Sequence, residues 1–186
     1  CLLKIKPCRR SRNMFDYQDT LHELNKNVPL SDKLLYVHNV LKQRYDFIDR
    51  IAIAVYDPKT DILKTFLHSS GKDEPLNHYQ ARLSESSSLQ EILEKGKPRI
   101  VTDLNIFQKG THTHTQKIQQ QGYASSYTTP MYIDNSFFGF LFFNSYQAGV
   151  FNAENLHYLD IFSHLISMVV GHELTSMRNL MATIKT

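Results

Sequence analysis

Two pairs of strand-like segments, each closed by a tight turn, do most to restrict what this chain can become. Ile51-Ala52-Ile53-Ala54-Val55-Tyr56 is a short apolar, β-branched run. Asp57-Pro58-Lys59-Thr60-Asp61 reads as a turn, and Ile62-Leu63-Lys64-Thr65-Phe66-Leu67 as the returning strand. Ser126 to Ile133 and Phe137 to Ser145 repeat the arrangement around Asp134-Asn135-Ser136. Hairpins make antiparallel neighbours, because parallel strands need a long crossover. Pro98 to Thr102 adds a short strand, giving a sheet of about five or six strands.

Helical periodicity surrounds these strands. Asn13 to Asn25 carries Tyr17, Leu21 and Leu24 on one face. Pro29 forces Val28 into an extended conformation, and Ser31 is placed to cap a second helix running to about Arg44, with Leu34, Val37 and Leu41 on one stripe. His68 to His78 reads as a loop, and Leu83 to Lys95 as a helix stopped by Gly96. Asn105 to Gly122 is polar, with a short helix around Thr115–Gln121, and Asn152 to about Lys185 is one long helix. The expected class is α+β.

Bulk properties exclude several functions. The 186 residues suffice for one full hydrophobic core, and 41% apolar content fits a folded domain. With 21 basic and 18 acidic residues interleaved, no nucleic-acid-binding stripe is expected; the basic run Lys4 to Arg12 reads as a solvated tail. Cys1 and Cys8 both lie in that tail, so the core has neither a disulfide framework nor zinc thiolates, compatible with a reducing cytoplasm. No apolar run reaches the ~18–20 residues of a membrane span. A start at Cys1 and an end at Thr186 without a helix-stop signal suggest an excised piece.

Enzyme signatures are missing: no Gly-rich phosphate loop, no Gly-x-Ser-x-Gly elbow and no cysteine nucleophile within the fold. His112 and His114, two apart in Gly110–Thr115, could point the same way toward a metal. Without a third ligand nearby they read as a solvated loop, and no metal site is expected. Ser125-Ser126-Tyr127-Thr128-Thr129-Pro130 sets hydroxyls and a phenol beside the apolar Phe137–Phe143 strand. Buried polar groups must be satisfied, as they are in binding pockets, yet Thr is also a good strand former on a solvent face. Alternation sends one of two sets inward, Ser126 with Thr128 or Tyr127 with Thr129. Along the last helix Val170, Leu174, Met177, Met181 and Ile184 follow 4-3-4-3 spacing, the pattern of a parallel dimer seam. The bland alternative is continued packing on the same domain.

The second half resembles the GAF family. Ser88-Leu89-Gln90-Glu91-Ile92-Leu93, then Gly96-Lys97-Pro98-Arg99-Ile100-Val101 and Asp103, follow the family's order of helix, Gly-Pro-hydrophobic pair and Asp. Ser125, Pro130, Asp134-Asn135 and Phe138-Gly139-Phe140-Leu141 continue it, and Phe151-Asn152-Ala153-Glu154-Asn155-Leu156 with Leu159 closes it. The resemblance covers about Asp32 to Leu174; each motif is weak alone and their order is specific. It implies a six-stranded antiparallel sheet flanked by helices, with long N- and C-terminal helices and a small-molecule pocket. Members bind cyclic nucleotides, bilins, haem or other small ligands, and many only dimerise.

The absence of a core cysteine argues against a thioether-linked bilin, and the missing cyclic-nucleotide signature against cyclic GMP or cyclic AMP. The cofactor is unknown. The expected layout is a basic tail or preceding-domain remnant at 1–12, a helical linker at 13–30, a sensory domain at 31–174 and the start of a signalling helix at 175–186. Ligand contacts are expected from Asp103, Ser126, Tyr127 and Thr128, and a homodimer seam from Val170, Leu174, Met177 and Met181. The resemblance implies a non-catalytic, cytoplasmic, bacterial sensor without a membrane partner. It would be joined to an HD-GYP phosphodiesterase, histidine kinase or diguanylate cyclase, the first and last placing it in cyclic-di-GMP signalling. The alternative is a purely structural dimerisation module.

Overall fold

The structure, a computed structural model, describes residues 19–70, 80–107 and 118–184. Six strands form one antiparallel sheet: β1 (Arg50–Asp57), β2 (Ile62–Ser70), β3 (Gln80–Arg82), β4 (Arg99–Val101), β5 (Ser125–Ile133) and β6 (Ser136–Ser145). Their spatial order is β3-β2-β1-β6-β5-β4. The first and last long strands therefore meet at the centre, where β1 pairs with β6 from Arg50↔Asn144 to Val55↔Gly139. Residues 50–54 of β1 are all buried, which is why this stretch reads as a continuous apolar run rather than an alternation. The β5–β6 turn has Asp134 and Asn135 at φ of 47° and 63°, the primed-turn geometry that Asp and Asn tolerate.

Helices flank the sheet, among them α1 (Leu30–Arg44), α2 (Ser87–Lys95) and α3 (Ala153–Ile184). Leu34, Val37 and Leu41 of α1 and Leu159, Ile166 and Val170 of α3 pack against Ile51, Ile53, Tyr127, Met131, Leu141 and Phe143 on one sheet face. Leu89 and Ile92 of α2 cover Ala52, Ala54, Phe140 and Phe142 on the other. Small alanines on one side of β1 and large isoleucines on the other fit these unequal covers. None of the helices is long and apolar enough to cross a membrane among the described residues.

Several local expectations are corrected. Ser31 does not cap α1: the cap is Pro29, two residues earlier, and its carbonyl accepts from the Asp32 and Lys33 amides at 3.0 and 3.2 Å. Pro29 fits the entry because its fixed φ of −53° suits a turn into helix. Of the expected helix at 13–25, the described part is a 3-10 turn, His22–Asn25, and the rest lies outside the described residues. The segment 83–95 divides into a 3-10 turn, Leu83–Glu85, and α2, with Ser86 at ψ 83° breaking the run. Gly96 ends α2 at φ 58° as a left-handed cap. Asn152 caps α3, its Oδ1 accepting from the Glu154 and Asn155 amides at 3.1 and 3.2 Å. β3 went unforeseen: three polar-flanked residues pairing with Ile62–Lys64 leave no periodic signal.

Candidate ligand-binding face

Register sorts the candidate residues between the two sheet faces. Ser126 pairs with Asn144 and Val101, and Asn144 with Arg50, which faces Ser70. The row Ser70–Arg50–Asn144–Ser126–Val101 thus crosses the sheet on the α2 side. The next row in the same phase is His68–Ala52–Phe142–Thr128–Arg99. Ser126 and Thr128 are therefore neighbours on one face, and both are buried.

Tyr127 points the other way. It is buried among Phe143, Phe151 and Leu159 beneath α3, and its hydroxyl donates to Asp160 Oδ1 at 2.6 Å. Burial, then the Asp160 carboxylate, push the phenol well above its usual pKa. The sheet separates it from Ser126 and Thr128, so the three do not line one cavity. β5 is buried on both faces, and both alternating sets are inward-facing. Asp103 lies at the exit of β4, where its Oδ1 accepts from the Asn105 amide at 2.8 Å and fixes the 3-10 turn Leu104–Phe107.

The polar row has a cover of its own. Leu104, Ile118 and Tyr123 cluster with Val101. Tyr123 stacks on Tyr146 with ring centroids 4.6 Å apart and planes 5° from parallel. Burial raises the Tyr123 pKa and the nearby Arg50 charge opposes the rise. Arg50 is 3% exposed, and its Nη1 donates to Asn144 Oδ1 at 2.9 Å. Four buried polar atoms lack a hydrogen-bond partner among the described residues: Arg50 Nε, Asn144 Nδ2, His68 Nδ1 and Gln121 Oε1. The first three belong to the two rows just described. Native interiors rarely leave such groups unmatched. Two open grooves are lined by other residues than Arg50 and Asn144, one of about 550 Å3 beside Val55, Ile62 and Phe66 and one of about 370 Å3 beside Lys95 and Arg99 at the end of the second row.

Sequence reasoning missed Arg50 and Asn144. Asp49-Arg50 reads as the charged margin of an apolar strand, and only pairing with a residue 94 positions away buries the arginine. The usable signal was phase: Arg50 shares its parity with Ala52 and Ala54.

The expected dimer seam is redistributed. Val170 is buried in its own domain's core and Leu174 packs partly against the same core. This corrects Val170 as a seam residue: the helix lies along the sheet for most of its length, so its 4-3 stripe serves the fold. Met177 is 42% exposed, and the Met181 side chain lies outside the described residues. His112 and His114 also lie outside them. Among the described residues, no group of three or more His, Cys, Asp or Glu side chains could hold a metal.

No protein-family model matches the sequence, and no curated protein matches it. Solved structures do match in three dimensions. A GAF domain of a phosphoenolpyruvate-protein phosphotransferase from Coxiella burnetii superposes with TM-score 0.65 at 13% identity, covering 84% of this chain and 90% of its own. The phycoerythrobilin-bound GAF domain of a cyanobacterial phytochrome gives TM-score 0.62 at 13% identity over 83% and 92%. A type II free methionine-R-sulfoxide reductase from Thermoplasma acidophilum gives 0.58 at 15% over 77% and 92%. Identities this low speak to fold alone. The chain has the GAF fold.

Proposed function

We propose that this chain is a regulatory module that binds a small molecule on the α2 side of its sheet and passes the bound state to its terminal helices. One observation carries the reading. The helices α1 and α3 occupy one sheet face, while the opposite face holds buried, incompletely matched polar groups under a short irregular cover. That a domain of this fold is bound to phycoerythrobilin supports a ligand-binding role, and the sulfoxide reductase shows that the fold also serves an enzyme.

A regulatory reading is favoured over a catalytic one by how the buried titratable groups are used. His38 is held between Ser69 and the Ile48 carbonyl, and Tyr127 is tied to Asp160. Both serve packing between helix and sheet. Through Tyr127, β5 also touches α3, so a ligand that shifts β5 would bias the packing of that helix. An output domain following α3, of the HD-GYP, kinase or cyclase kind, would read that bias as a dimer.

Mass spectrometry under native conditions tests the ligand directly. The expected result is a species heavier than the chain that reverts to the chain mass on denaturation. A purely structural dimerisation module, supported by the tight packing of α2 on Phe140 and Phe142, would show the bare chain mass and no binder in a metabolite screen.

A further inference from the structure

Arg50 presents an unbalanced charge in the interior. It is 3% exposed, and among the described residues its guanidinium is hydrogen-bonded to the neutral amide of Asn144. Among the described residues no carboxylate forms an ion pair with it. Its neighbour Asp49 is directed elsewhere, its Oδ2 accepting from the Tyr146 amide at 2.8 Å. Burial lowers the guanidinium pKa, opposed only by the phenols of Tyr123 and Tyr146. A desolvated cation without a counter-charge is costly, and proteins pair such groups or supply a ligand.

The unmatched atoms define the chemistry of that ligand. Arginine has only donors, so Asn144 must turn its oxygen to Nη1 and leave its NH2 group without an acceptor. Nε, one end of the guanidinium's side edge, is unmatched too. That edge is the one that grips two oxygens of a carboxylate or phosphate. Positive charge and two orphan donors from adjacent strands call for an anion. Ser126 in the same row adds a hydroxyl, and His68 a ring nitrogen from the next row.

We propose that Arg50 and Asn144 anchor the carboxylate or phosphate group of a small ligand between the sheet and the Tyr123 cover. The inference rests on the sensor reading above and adds the ligand's class. Thermal unfolding of the whole chain in sodium phosphate, sodium acetate and sodium chloride at matched ionic strength tests it. One or both oxyanions should raise the Tm beyond the chloride control, and which one does so distinguishes a phosphate site from a carboxylate site. Arg50→Met should abolish that response, with oxyanion binding weakened roughly 10- to 100-fold, while the ligand-free Tm stays level or rises because the unbalanced charge is gone.

Asn144→Asp supplies an internal counter-charge, so it should raise the ligand-free Tm and blunt the oxyanion response; it decides the matter if Arg50→Met fails to fold. An oxyanion effect equal to that of chloride, or one surviving intact in Arg50→Met, overturns the proposal. Native mass spectrometry separates the two levels. A ligand retained equally by wild type and Arg50→Met sinks the anion anchor and leaves the sensor reading standing. No bound mass together with no oxyanion effect sinks both.

Discussion

A methyl group added to Gly139 would stand 2.1 Å from the Ala54 carbonyl oxygen and 3.2 Å from the Val55 Cα. Both obstacles are backbone of the central β1–β6 pair, so no side-chain rotation can relieve them. Gly139→Ala is expected to cost several kcal/mol, at or beyond the ~4 kcal/mol that marks an exceptional single substitution. Urea denaturation with recovery of soluble protein measures this; a loss below ~1 kcal/mol would show that the strands can part there. A different residue-scale effect belongs to His38. Its Nε2 must donate to the Ile48 carbonyl at 2.8 Å, and in the neutral ring Nδ1, 2.8 Å from Ser69 Oγ, accepts from the hydroxyl. Burial depresses its pKa below the ordinary 6.5; the hydrogen bond to the Ile48 carbonyl opposes this, Lys42 on the same helix adds to the depression and Asp49 opposes it more weakly. The unfolded chain therefore binds the proton more readily. The stabilisation is complete above about pH 7.5 and declines as pH falls through 6.5 toward the depressed folded value. Urea midpoints between pH 7.5 and 5.5 should fall in wild type and fall less in His38→Gln. Equal slopes would remove His38 from the account.

Tyr127 links two elements across the core. Its ring lies 5.8 Å from Phe143 and 6.2 Å from Phe151, and its hydroxyl reaches Asp160 on the first half of α3. Tyr127→Phe keeps the ring packing and removes the hydrogen bond, so a loss of about 1 kcal/mol is expected, because Asp160 stays open to water and can be resolvated. Urea denaturation with unchanged circular dichroism checks the figure; a loss above ~3 kcal/mol would mean the bond fixes the seating of the whole helix. Legibility in the sequence also divides by element. Both hairpins, α2 with its Gly96 stop and the span of α3 were legible because turn residues and apolar periodicity act locally. The short strand β3 was not, since its pairing with Ile62–Lys64 is tertiary. The proposed ligand face was legible only in part, within an expected set of Asp103, Ser126, Tyr127 and Thr128. β5 is covered on both sides, so alternation could not separate them from Tyr127, and Arg50 becomes buried only when β6 returns beside β1.

At the scale of the whole molecule, the prediction is that a second copy docks on α1 and α3. Val170 is enclosed, but Ile161 and Met168 stand 53% and 74% exposed with half-buried Leu165 between them, a 4-3 spacing on the outer side of α3. Leu35 of α1 is 51% exposed. The guanidinium of Arg44 at the end of α1 lies 4.1 Å over the Tyr158 ring of α3, which ties the two helices together as one face. A pair of such faces would make a four-helix bundle, with a stripe of residues different from the seam expected at Val170, Leu174, Met177 and Met181. At about 25 cal/mol per Å2 of apolar surface, covering three such side chains on each of two copies contributes several kcal/mol, the scale that separates a micromolar dimer from a monomer. Wild type is expected to sediment as a dimer, and the Ile161→Glu, Met168→Glu double variant as a folded monomer with wild-type circular dichroism. Leu174→Glu should instead lower stability, because Leu174 packs against its own core. A wild-type chain that sediments as a monomer at every concentration reached would leave α1 and α3 without a partner copy, and the helical route from ligand to output would have to run through a single chain.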